Sequence, residues 1–248
     1  MIDLTNRVAL VTAGSRGLGA EIVRQLARQG AHTAFTYSRD EAAALALAAE
    51  VEALGRKCST FQADAGDFAL AERVVADTRA QLGGLHILVC NAGMARGGAL
   101  WKLKEEDWDR VIDVSLKGAF NYIRAAAPSF MEQASGKIVC IGSINGLRGR
   151  IGTISYTAAK AGLVGLIKSA ASELGRFNVN VNLVAPGFIE SPSQANTPEL
   201  IRDLVLKECV IKRLGTPQDI APMVVFLCSE AARHVTGQVI NVDAGQYL

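Results

Sequence analysis

The sequence predicts an α/β protein with one doubly wound parallel sheet of about seven strands and helices on both of its faces. Short apolar runs alternate along the chain with longer stretches that carry apolar residues at helical spacing. The short runs are mainly apolar and rich in β-forming residues, which is typical of parallel strands buried on both faces. No repeat, low-complexity tract or linker divides the chain, so we expect a single domain over residues 1–248.

The predicted strands are the apolar runs of strand length, residues 7–12, 33–37, 58–61, 86–90, 137–141, 179–184 and 239–242. The predicted helices have a period near 3.6 and cover residues 18–29, 40–54, 68–82, 105–131, 155–174 and 217–227. The stretch 105–131 is long for one globular helix, and Pro128 predicts that the helix stops there. Residues 188–216 break the alternation, and an irregular insert late in such a fold is typical of a lid or a substrate loop.

Composition excludes several classes of protein. Lys and Arg number 26 against 24 for Asp and Glu, and no basic stripe is present, so we expect no nucleic-acid partner. The apolar runs are shorter than a membrane span, and residues 1–7 do not resemble the start of a signal peptide. No cluster of His, Cys and Asp has metal-ligand spacing, so no metal is expected. These observations predict a cytoplasmic α/β enzyme.

A glycine-rich turn follows the first predicted strand and opens the first helix. Glycine permits the backbone N–H groups at a helix N-terminus to approach a pyrophosphate closely. The glycines are ordered G-x-x-G-x-G rather than G-x-G-x-x-G, so a purely structural turn remains the alternative. As a dinucleotide site, the turn consists of Gly14, Ser15, Arg16, Gly17, Leu18 and Gly19.

The end of the second predicted strand is where such proteins distinguish NAD from NADP. An acidic residue there would bind the ribose hydroxyls of NAD(H), whereas this sequence has Ser38 and Arg39, with Arg16 in the preceding turn. Two guanidinium groups and a hydroxyl suit a 2′-phosphate, so NADP(H) is favoured over NAD(H). As an alternative role, Ser38 has capping-box spacing with Glu41 for the next helix.

Two further strand ends carry residues suited to a nucleotide. Asp64 and Ala65 close the third strand, where a carboxylate suits the adenine amino group, although an Asx turn explains Asp64 equally well. The small residues Asn91, Ala92 and Gly93 close the fourth strand and permit backbone approach to a ribose. Ligands of open α/β sheets bind beyond the carboxyl ends of the strands, so these residues predict one shared site.

The predicted reactive groups follow the fifth strand. The fifth strand leads into Ser143. Tyr156 and Lys160 lie four residues apart, on one face of the next helix. A free phenol has a pKa near 10, and a nearby ammonium would bring that pKa towards neutrality and permit acid–base catalysis. A surface Tyr-Lys pair without function is the alternative. The position beside a nucleotide turn favours catalysis.

The order of these motifs resembles the short-chain dehydrogenase/reductase family over essentially the whole chain. The resemblance rests on Thr12-(x)4-Gly17-Leu18-Gly19, Asn91-Ala92-Gly93, Ser143, Tyr156-(x)3-Lys160 and Pro186-Gly187. The segment Arg213-Leu214-Gly215-Thr216-Pro217 and the ending Gly245-Gln246-Tyr247-Leu248 are similar to its 3-oxoacyl-[acyl-carrier-protein] reductase subgroup.

The resemblance implies a Rossmann-type homotetramer that moves a hydride between NAD(P)H and a carbonyl. It implies that Tyr156 is the general acid/base, that Lys160 lowers its pKa and holds the nicotinamide ribose, and that Ser143 orients the substrate oxygen. Asn91 would lie against the cofactor. The nicotinamide side would consist of Pro186, Gly187, Ile189 and Ser191.

Three departures from the family pattern bear on the site. Ser191 stands where the family often has a Thr that meets the nicotinamide carboxamide, and it keeps the hydroxyl. Ala13 stands where the family usually has its first glycine. Ser115 stands where the family commonly has a catalytic Asn, which acts largely through a main-chain carbonyl that binds a water connecting Lys160 to solvent. A backbone carbonyl survives any substitution, so we expect activity to remain with Ser115.

The leading hypothesis is therefore NADP(H)-dependent reduction of a 3-oxoacyl thioester, carried by acyl carrier protein or CoA, to the 3-hydroxyacyl form. The alternatives are a dehydrogenase of a small secondary or cyclic alcohol, or of a hydroxyacyl-CoA, and a non-catalytic dinucleotide-binding regulator. The substrate pocket is expected at residues 94–100, 144–153 and 188–213. Within it, Arg96, Arg148 and Arg150 either meet a carrier phosphate or are solvated surface residues.

Overall fold

The computed structural model describes residues 2–191 and 197–248. Its strands form one sheet with the order β3-β2-β1-β4-β5-β6-β7, and every neighbouring pair is parallel. The strands are β1 (Val8–Val11), β2 (His32–Tyr37), β3 (Cys58–Gln62), β4 (Ile87–Cys90), β5 (Gly136–Ile141), β6 (Val179–Pro186) and β7 (Val239–Val242). The predicted fold class is confirmed, with strand boundaries shifted by at most two residues.

The helices pack on both faces of the sheet. They are α1 (Gly17–Arg28), α2 (Glu41–Ala53), α3 (Phe68–Leu82), α4 (Glu105–Ile112), α5 (Gly118–Glu132), α6 (Asn145–Arg148), α7 (Ile154–Leu174), α8 (Glu199–Glu208) and α9 (Pro217–Leu227). Because strand side chains alternate between faces, Leu10 joins a core with residues of α3, α5 and α7, whereas Val11 joins a core with residues of α1, α2 and α9.

Residues 105–132 form one continuous helical stretch that changes character in the middle. A π-helical turn, Asp113–Lys117, connects α4 to α5, and the N–H of Gly118 donates to the carbonyl of Asp113. The prediction that the helix stops at Pro128 is wrong, since α5 continues to Glu132. A proline removes one N–H donor, and the fully buried Phe130, just beyond it, holds the last turn against the core.

The segment predicted as a lid contains a short helix. After β6, Ile189 pairs with Gly215 in an isolated parallel bridge, and α8 lies between these two residues. Residues 192–196, which belong to the predicted lid, lie outside the described residues. Its function as a lid stays a prediction.

The topology places one crevice at the carboxyl ends of the strands. The strand order reverses direction between β1 and β4, which are neighbours in the sheet. The turns after these two strands therefore lead to opposite sides and open a crevice, where ligands of such sheets bind. Across the described ranges of the chain, no helix is both long and apolar enough to cross a membrane.

Candidate active site

Thr12 and Asn91, which directly follow β1 and β4, connect the glycine-rich turn to the end of the sheet through hydrogen bonds. The Thr12 hydroxyl accepts hydrogen bonds from the backbone N–H groups of Asn91 and Ala92, both at 2.9 Å. In return, the Asn91 amide donates to the carbonyls of Thr12 at 3.1 Å and Ala13 at 3.0 Å. Asn91 therefore fixes the turn itself, a contact that its sequence position beside the cofactor did not reveal.

Two glycines of the turn lie where a side chain has no room. A Cβ at Gly14 would fall 2.5 Å from the Cβ of Phe35, and a Cβ at Gly19 would fall 2.3 Å from the carbonyl oxygen of Ala13. The helix α1 begins directly in this turn, and no side chain caps its N-terminus. A tight turn that presents the N–H groups of a helix start fits the pyrophosphate of a dinucleotide.

The two arginines predicted to bind a 2′-phosphate are exposed beside this turn. Neither Arg16 nor Arg39 forms an ion pair or a side-chain hydrogen bond with any residue that the structure describes. Both guanidinium groups thus keep their donors for a ligand.

The capping role proposed as an alternative for Ser38 is wrong. The N-cap of α2 is Asp40, whose carboxylate accepts from the N–H of Ala43 at 3.0 Å. Asp40 follows Ser38 by two residues and is also a strong capping residue, so the helix starts later than the serine spacing suggested. Glu41 instead accepts a hydrogen bond from the phenol of Tyr37 at 3.4 Å.

Asp64, predicted to meet an adenine, is engaged by the protein itself. Its carboxylate accepts two hydrogen bonds from Arg110, at 2.7 and 3.2 Å, and a third from the N–H of Gly66 at 2.9 Å. The hydrogen bonds from the Arg110 guanidinium hold the pKa of this carboxyl below its usual value. The hydrogen bond from Gly66 confirms the Asx turn. No pattern in the sequence predicted that Arg110 would bind Asp64. Next to it, the carbonyl of Ala65 accepts from the Asn121 amide at 3.1 Å.

A cavity of about 660 Å³ opens where β4, β5 and β6 end. It brings together ten of the predicted site residues: Leu18, Asn91, Gly93, Ser143, Tyr156, Lys160, Pro186, Gly187, Ile189 and Ser191. The other predicted cofactor residues follow β1 to β4 outside its lining: Gly14, Ser15, Arg16, Gly17, Gly19, Ser38, Arg39, Asp64, Ala65 and Ala92. All three predicted pocket segments contribute, with Met94, Arg150 and Ile201 among the lining residues.

The three predicted reactive groups meet in this cavity. Ser143 follows β5, and its hydroxyl accepts from the N–H of Asn145 at 3.1 Å and lies close enough to the phenol of Tyr156 to affect its pKa. Tyr156 and Lys160 lie one turn apart near the start of α7. The buried Lys160 ammonium donates to the carbonyl of Ile141 at 2.6 Å and lies 5.7 Å from the centre of the Tyr156 ring.

Burial controls the titration of both groups. It raises the pKa of Tyr156 above the ordinary value, and the nearby hydroxyl of Ser143 opposes the shift. Burial also lowers the pKa of Lys160 to about 8. The expected lowering of the phenol pKa by Lys160 is therefore not found in this structure, because the ammonium is itself destabilised by burial and is bound to a backbone carbonyl.

Ser115 lies in the π-helical turn, buried behind the loop that follows β4. Its hydroxyl accepts from the N–H of Met94 at 3.0 Å and donates to the carbonyl of the same residue at 3.2 Å. Gly93 separates it from the lysine, since a Cβ there would lie 3.2 Å from Lys160 Nζ and 3.8 Å from Ser115 Oγ. The side chain thus holds a cavity-lining backbone segment.

Comparison with known proteins identifies the family. A sequence profile described as enoyl-(acyl carrier protein) reductase matches residues 12–246. The 3-oxoacyl-[acyl-carrier-protein] reductase FabG of Staphylococcus aureus (strain Mu50) is 40% identical over 240 residues, which cover 97% of this chain and 98% of the relative. The chain belongs to the short-chain dehydrogenase/reductase family.

Two further members of the family are similar to this chain over nearly its whole length. FabG of Thermotoga maritima is 37% identical over 242 residues, which cover 98% of both chains. A solved structure from Sinorhizobium meliloti 1021, described as a short-chain alcohol dehydrogenase, has a TM-score of 0.95 at 34% identity and covers 98% of this chain and 97% of its own. The predicted family and enzyme class, an NAD(P)-dependent oxidoreductase, are confirmed.

Sequence reasoning missed three of the residues that line the cavity, Ile141, Gly142 and Gln246. Gln246, two residues before the end of the chain, lines the cavity beside Gly187. The sequence offered the similarity of the chain ending to a subgroup, but no spacing or residue type indicated that the ending returns to the site. Arg110, which binds Asp64, was missed for the same reason.

Proposed function

We propose that this enzyme uses NADPH to reduce a 3-oxoacyl thioester to the 3-hydroxyacyl form. The observation that supports it most directly is the meeting of the Ser143 hydroxyl and the Tyr156 phenol in a cavity reached from the nucleotide turn. Further support comes from the relatives at 37–40% identity, which are 3-oxoacyl-[acyl-carrier-protein] reductases.

The Ser143 and Tyr156 oxygens bind the substrate carbonyl oxygen from one side. Tyr156 donates the proton that this oxygen acquires on reduction, and the raised pKa of the phenol keeps it protonated near neutral pH. A protonated phenol suits reduction better than oxidation, which needs a base at the same place. When bound, the nicotinamide supplies the hydride to the carbonyl carbon.

Lys160 holds its place through the Ile141 carbonyl. An ammonium has three donors, so two remain for the hydroxyls of a nicotinamide ribose beside Gly93. Asn91, Pro186, Gly187, Ile189 and Ser191 form the wall against the cofactor.

The choice of NADP(H) rests on Arg16 and Arg39. Both are exposed, and their charge is balanced by no acidic group in the part of the chain that the structure describes. The nearby acidic groups are engaged elsewhere, since Asp40 caps α2 and Glu41 binds Tyr37. A phosphate carrying close to two negative charges suits this pair of guanidinium groups.

The thioester carrier is assigned to the side of Arg150. Of the three arginines predicted at the cavity mouth, Arg96 is paired with Asp107 and Arg148 with Glu208. Arg150 lines the cavity and is exposed, and its guanidinium forms no hydrogen bond or ion pair with another described residue. It is therefore the arginine we assign to the phosphate of a carrier protein's phosphopantetheine or of CoA.

Oxidation of NADPH and NADH measured over acetoacetyl thioesters, cyclic ketones and quinones tests the function. We expect acetoacetyl-acyl carrier protein and acetoacetyl-CoA to be reduced with NADPH, and Arg150→Gln to raise KM for both while leaving a carrier-free ketoester unaffected. Turnover of cyclic ketones alone would favour the small-alcohol dehydrogenase. Binding of NADPH without turnover of any carbonyl would favour the dinucleotide-binding regulator.

A homotetramer in the cytoplasm completes the proposal. Support for self-association comes from an apolar groove of about 640 Å³ along α3, α5 and α7, where Phe120 and Met131 remain 45% and 37% exposed. A second copy packing its α5 and α7 there would cover both side chains. Light scattering should give the mass of a tetramer for the wild type and a smaller mass for Phe120→Glu.

A further inference from the structure

Three other segments of the chain meet at Gln246. Its amide nitrogen donates to Glu208 Oε2 at 2.8 Å, and its amide oxygen accepts from the backbone N–H of Phe188 at 2.9 Å. Arg148 donates to the same Glu208 oxygen at 2.8 Å and to the main-chain carbonyl oxygen of Gln246 at 3.2 Å. We call this group of Arg148, Phe188, Glu208 and Gln246 the C-terminal clasp.

The amide of Gln246 is committed at both ends. The residue is only 6% exposed although it lines the cavity, and each polar atom of its side chain has a partner within the chain. The approach is close, since a Cβ at Gly187 would lie 2.8 Å from the amide oxygen. Gln246 is therefore placed to organise the cavity wall rather than to bind substrate directly.

Each partner in the clasp belongs to a different part of the proposed active site. Arg148 ends α6, a helix that begins two residues after Ser143. Phe188 follows Gly187 on the wall assigned to the nicotinamide. Glu208 ends α8, the helix of the predicted lid. The clasp therefore joins three parts of the site: the side of the cavity that carries Ser143, the wall assigned to the nicotinamide, and α8.

Charge reinforces this geometry. The hydrogen bonds from Gln246 and Arg148 keep the pKa of Glu208 below its ordinary value, although burial opposes them. The carboxylate is thus ionised at neutral pH, and hydrogen bonds to an ionised acceptor are stronger than those between neutral groups.

We propose that Gln246 is a positioning residue that holds α8 against both walls of the cavity and thereby sets the affinity for the carbonyl substrate. The proposal rests on the proposed function in one respect, the location of the substrate in this cavity. It adds that the last residues of the chain control substrate affinity while taking no part in proton or hydride transfer.

Gln246→Met tests the proposal, because methionine has a similar length and cannot form either hydrogen bond. We expect KM for the thioester to rise by about tenfold, equivalent to ~1.4 kcal/mol, with kcat and KM for NADPH nearly unchanged. Hydrogen exchange at residues 199–210 should become faster. The control is Tyr247→Phe, which removes a neighbouring hydroxyl that has no hydrogen-bond partner among the described residues.

Exchanging the side chains of Gln246 and Glu208 should restore the contact that Gln246→Met removes. Gln246→Glu alone places two carboxylates in contact and should raise KM at least as much as Gln246→Met. Combined with Glu208→Gln, it restores one amide and one carboxylate, with Phe188 and Arg148 still able to donate. We expect the double variant to recover most of the wild-type KM and the slow exchange of α8.

The outcomes separate this proposal from the proposed function. Faster exchange in α8 with an unchanged thioester KM would overturn the proposal, since the clasp would then be structural only. Unchanged exchange in Gln246→Met, equal drops in kcat and in kcat/KM, or failure of the double variant to recover would also overturn it. Absence of carbonyl reduction by the wild type would instead overturn the proposed function, and the exchange data would still show whether Gln246 holds the lid helix.

Discussion

The nucleotide end and the chemical end of the crevice are built by different means. At the nucleotide end, the essential features are a lack of side chains at Gly14 and Gly19 and two exposed arginines. At the chemical end, the cavity that contains the reactive groups is held together by part-buried contacts between distant segments, such as those joining Gln246 to Phe188, 58 residues away, and to Arg148, 98 residues away.

This difference teaches which changes stay local. A substitution at an exposed arginine alters one ligand contact, because no other described residue depends on that side chain. A substitution at the chemical end also releases partners that were buried with it, and unpaired buried polar groups are costly. We therefore expect effects on cofactor affinity alone at the first end and coupled effects on stability and rate at the second.

Tyr156→Phe should have the largest effect, because it removes proton transfer at the chemical end and leaves cofactor binding at the nucleotide end intact. The ring still packs on α7, but no proton can be transferred, so kcat should fall by about 10²–10⁴-fold. NADPH binding, followed by its fluorescence, should stay close to that of the wild type. A variant that retains wild-type kcat would rule out the proposed proton transfer.

Arg39→Ala should have the next largest effect and sharpens the description of the nucleotide end. Loss of a charge-assisted contact to phosphate corresponds to roughly 1.5–3 kcal/mol, so KM for NADPH should rise by about tenfold or more. NADH has no 2′-phosphate, so its KM should not change, which makes it the internal control. Equal use of both cofactors by the wild type would contradict the proposed preference.

The site could be predicted from the sequence where its chemistry is local. The glycine turn and the pair Tyr156 and Lys160 depend on residue type and on spacing within one turn or helix, and the structure brings these residues to the expected strand ends. The parallel sheet was predictable for a similar reason, because mainly apolar runs of strand length that alternate with helical stretches are typical of a sheet covered on both faces.

Competition between signals caused the errors. Ser38 and Asp40 are both good helix caps, and spacing alone could not decide which of them starts α2. Pro128 is a helix breaker, but the burial of Phe130 beyond it stabilises one more turn. The partners Arg110 and Gln246 arise from long-range folding, which leaves no local pattern in the sequence.

Ser115→Ala should have a smaller effect on rate and tests how strongly the chemical end is coupled. Because the hydroxyl binds both backbone groups of Met94, its loss should lower the free energy of unfolding by about 1–3 kcal/mol. The main-chain carbonyl is unchanged, so kcat should stay within about tenfold of the wild type, or ~1.4 kcal/mol in barrier. Thermal unfolding and steady-state kinetics measure the two effects separately.

Ser115→Asn serves as the matched variant, since its amide offers both a donor and an acceptor to Met94. Recovery of stability by Asn but not by Ala would support the positioning role of the hydroxyl. A larger loss of kcat in Ser115→Ala, with KM for NADPH unchanged, would instead show that the hydroxyl takes part in the chemistry.

Ala13→Gly should have the smallest effect and tests whether the nucleotide turn stores strain. Ala13 has a φ of +52°, in the left-handed region that costs an alanine roughly 1–2 kcal/mol. Glycine removes this strain but gives the unfolded chain more freedom, which offsets about 0.4–1 kcal/mol of the gain. The variant should therefore be more stable by at most about 1.5 kcal/mol, or a few degrees in Tm at roughly 2–4 °C per kcal/mol.

Gly17→Ala is the matched reverse change, because Gly17 has a φ of +56° and a Cβ there would come no closer than 3.9 Å to its nearest neighbour. It should lower Tm by a similar amount through backbone strain alone. A lower Tm for Ala13→Gly would mean that the methyl group makes contacts worth more than the strain, although Ala13 is exposed.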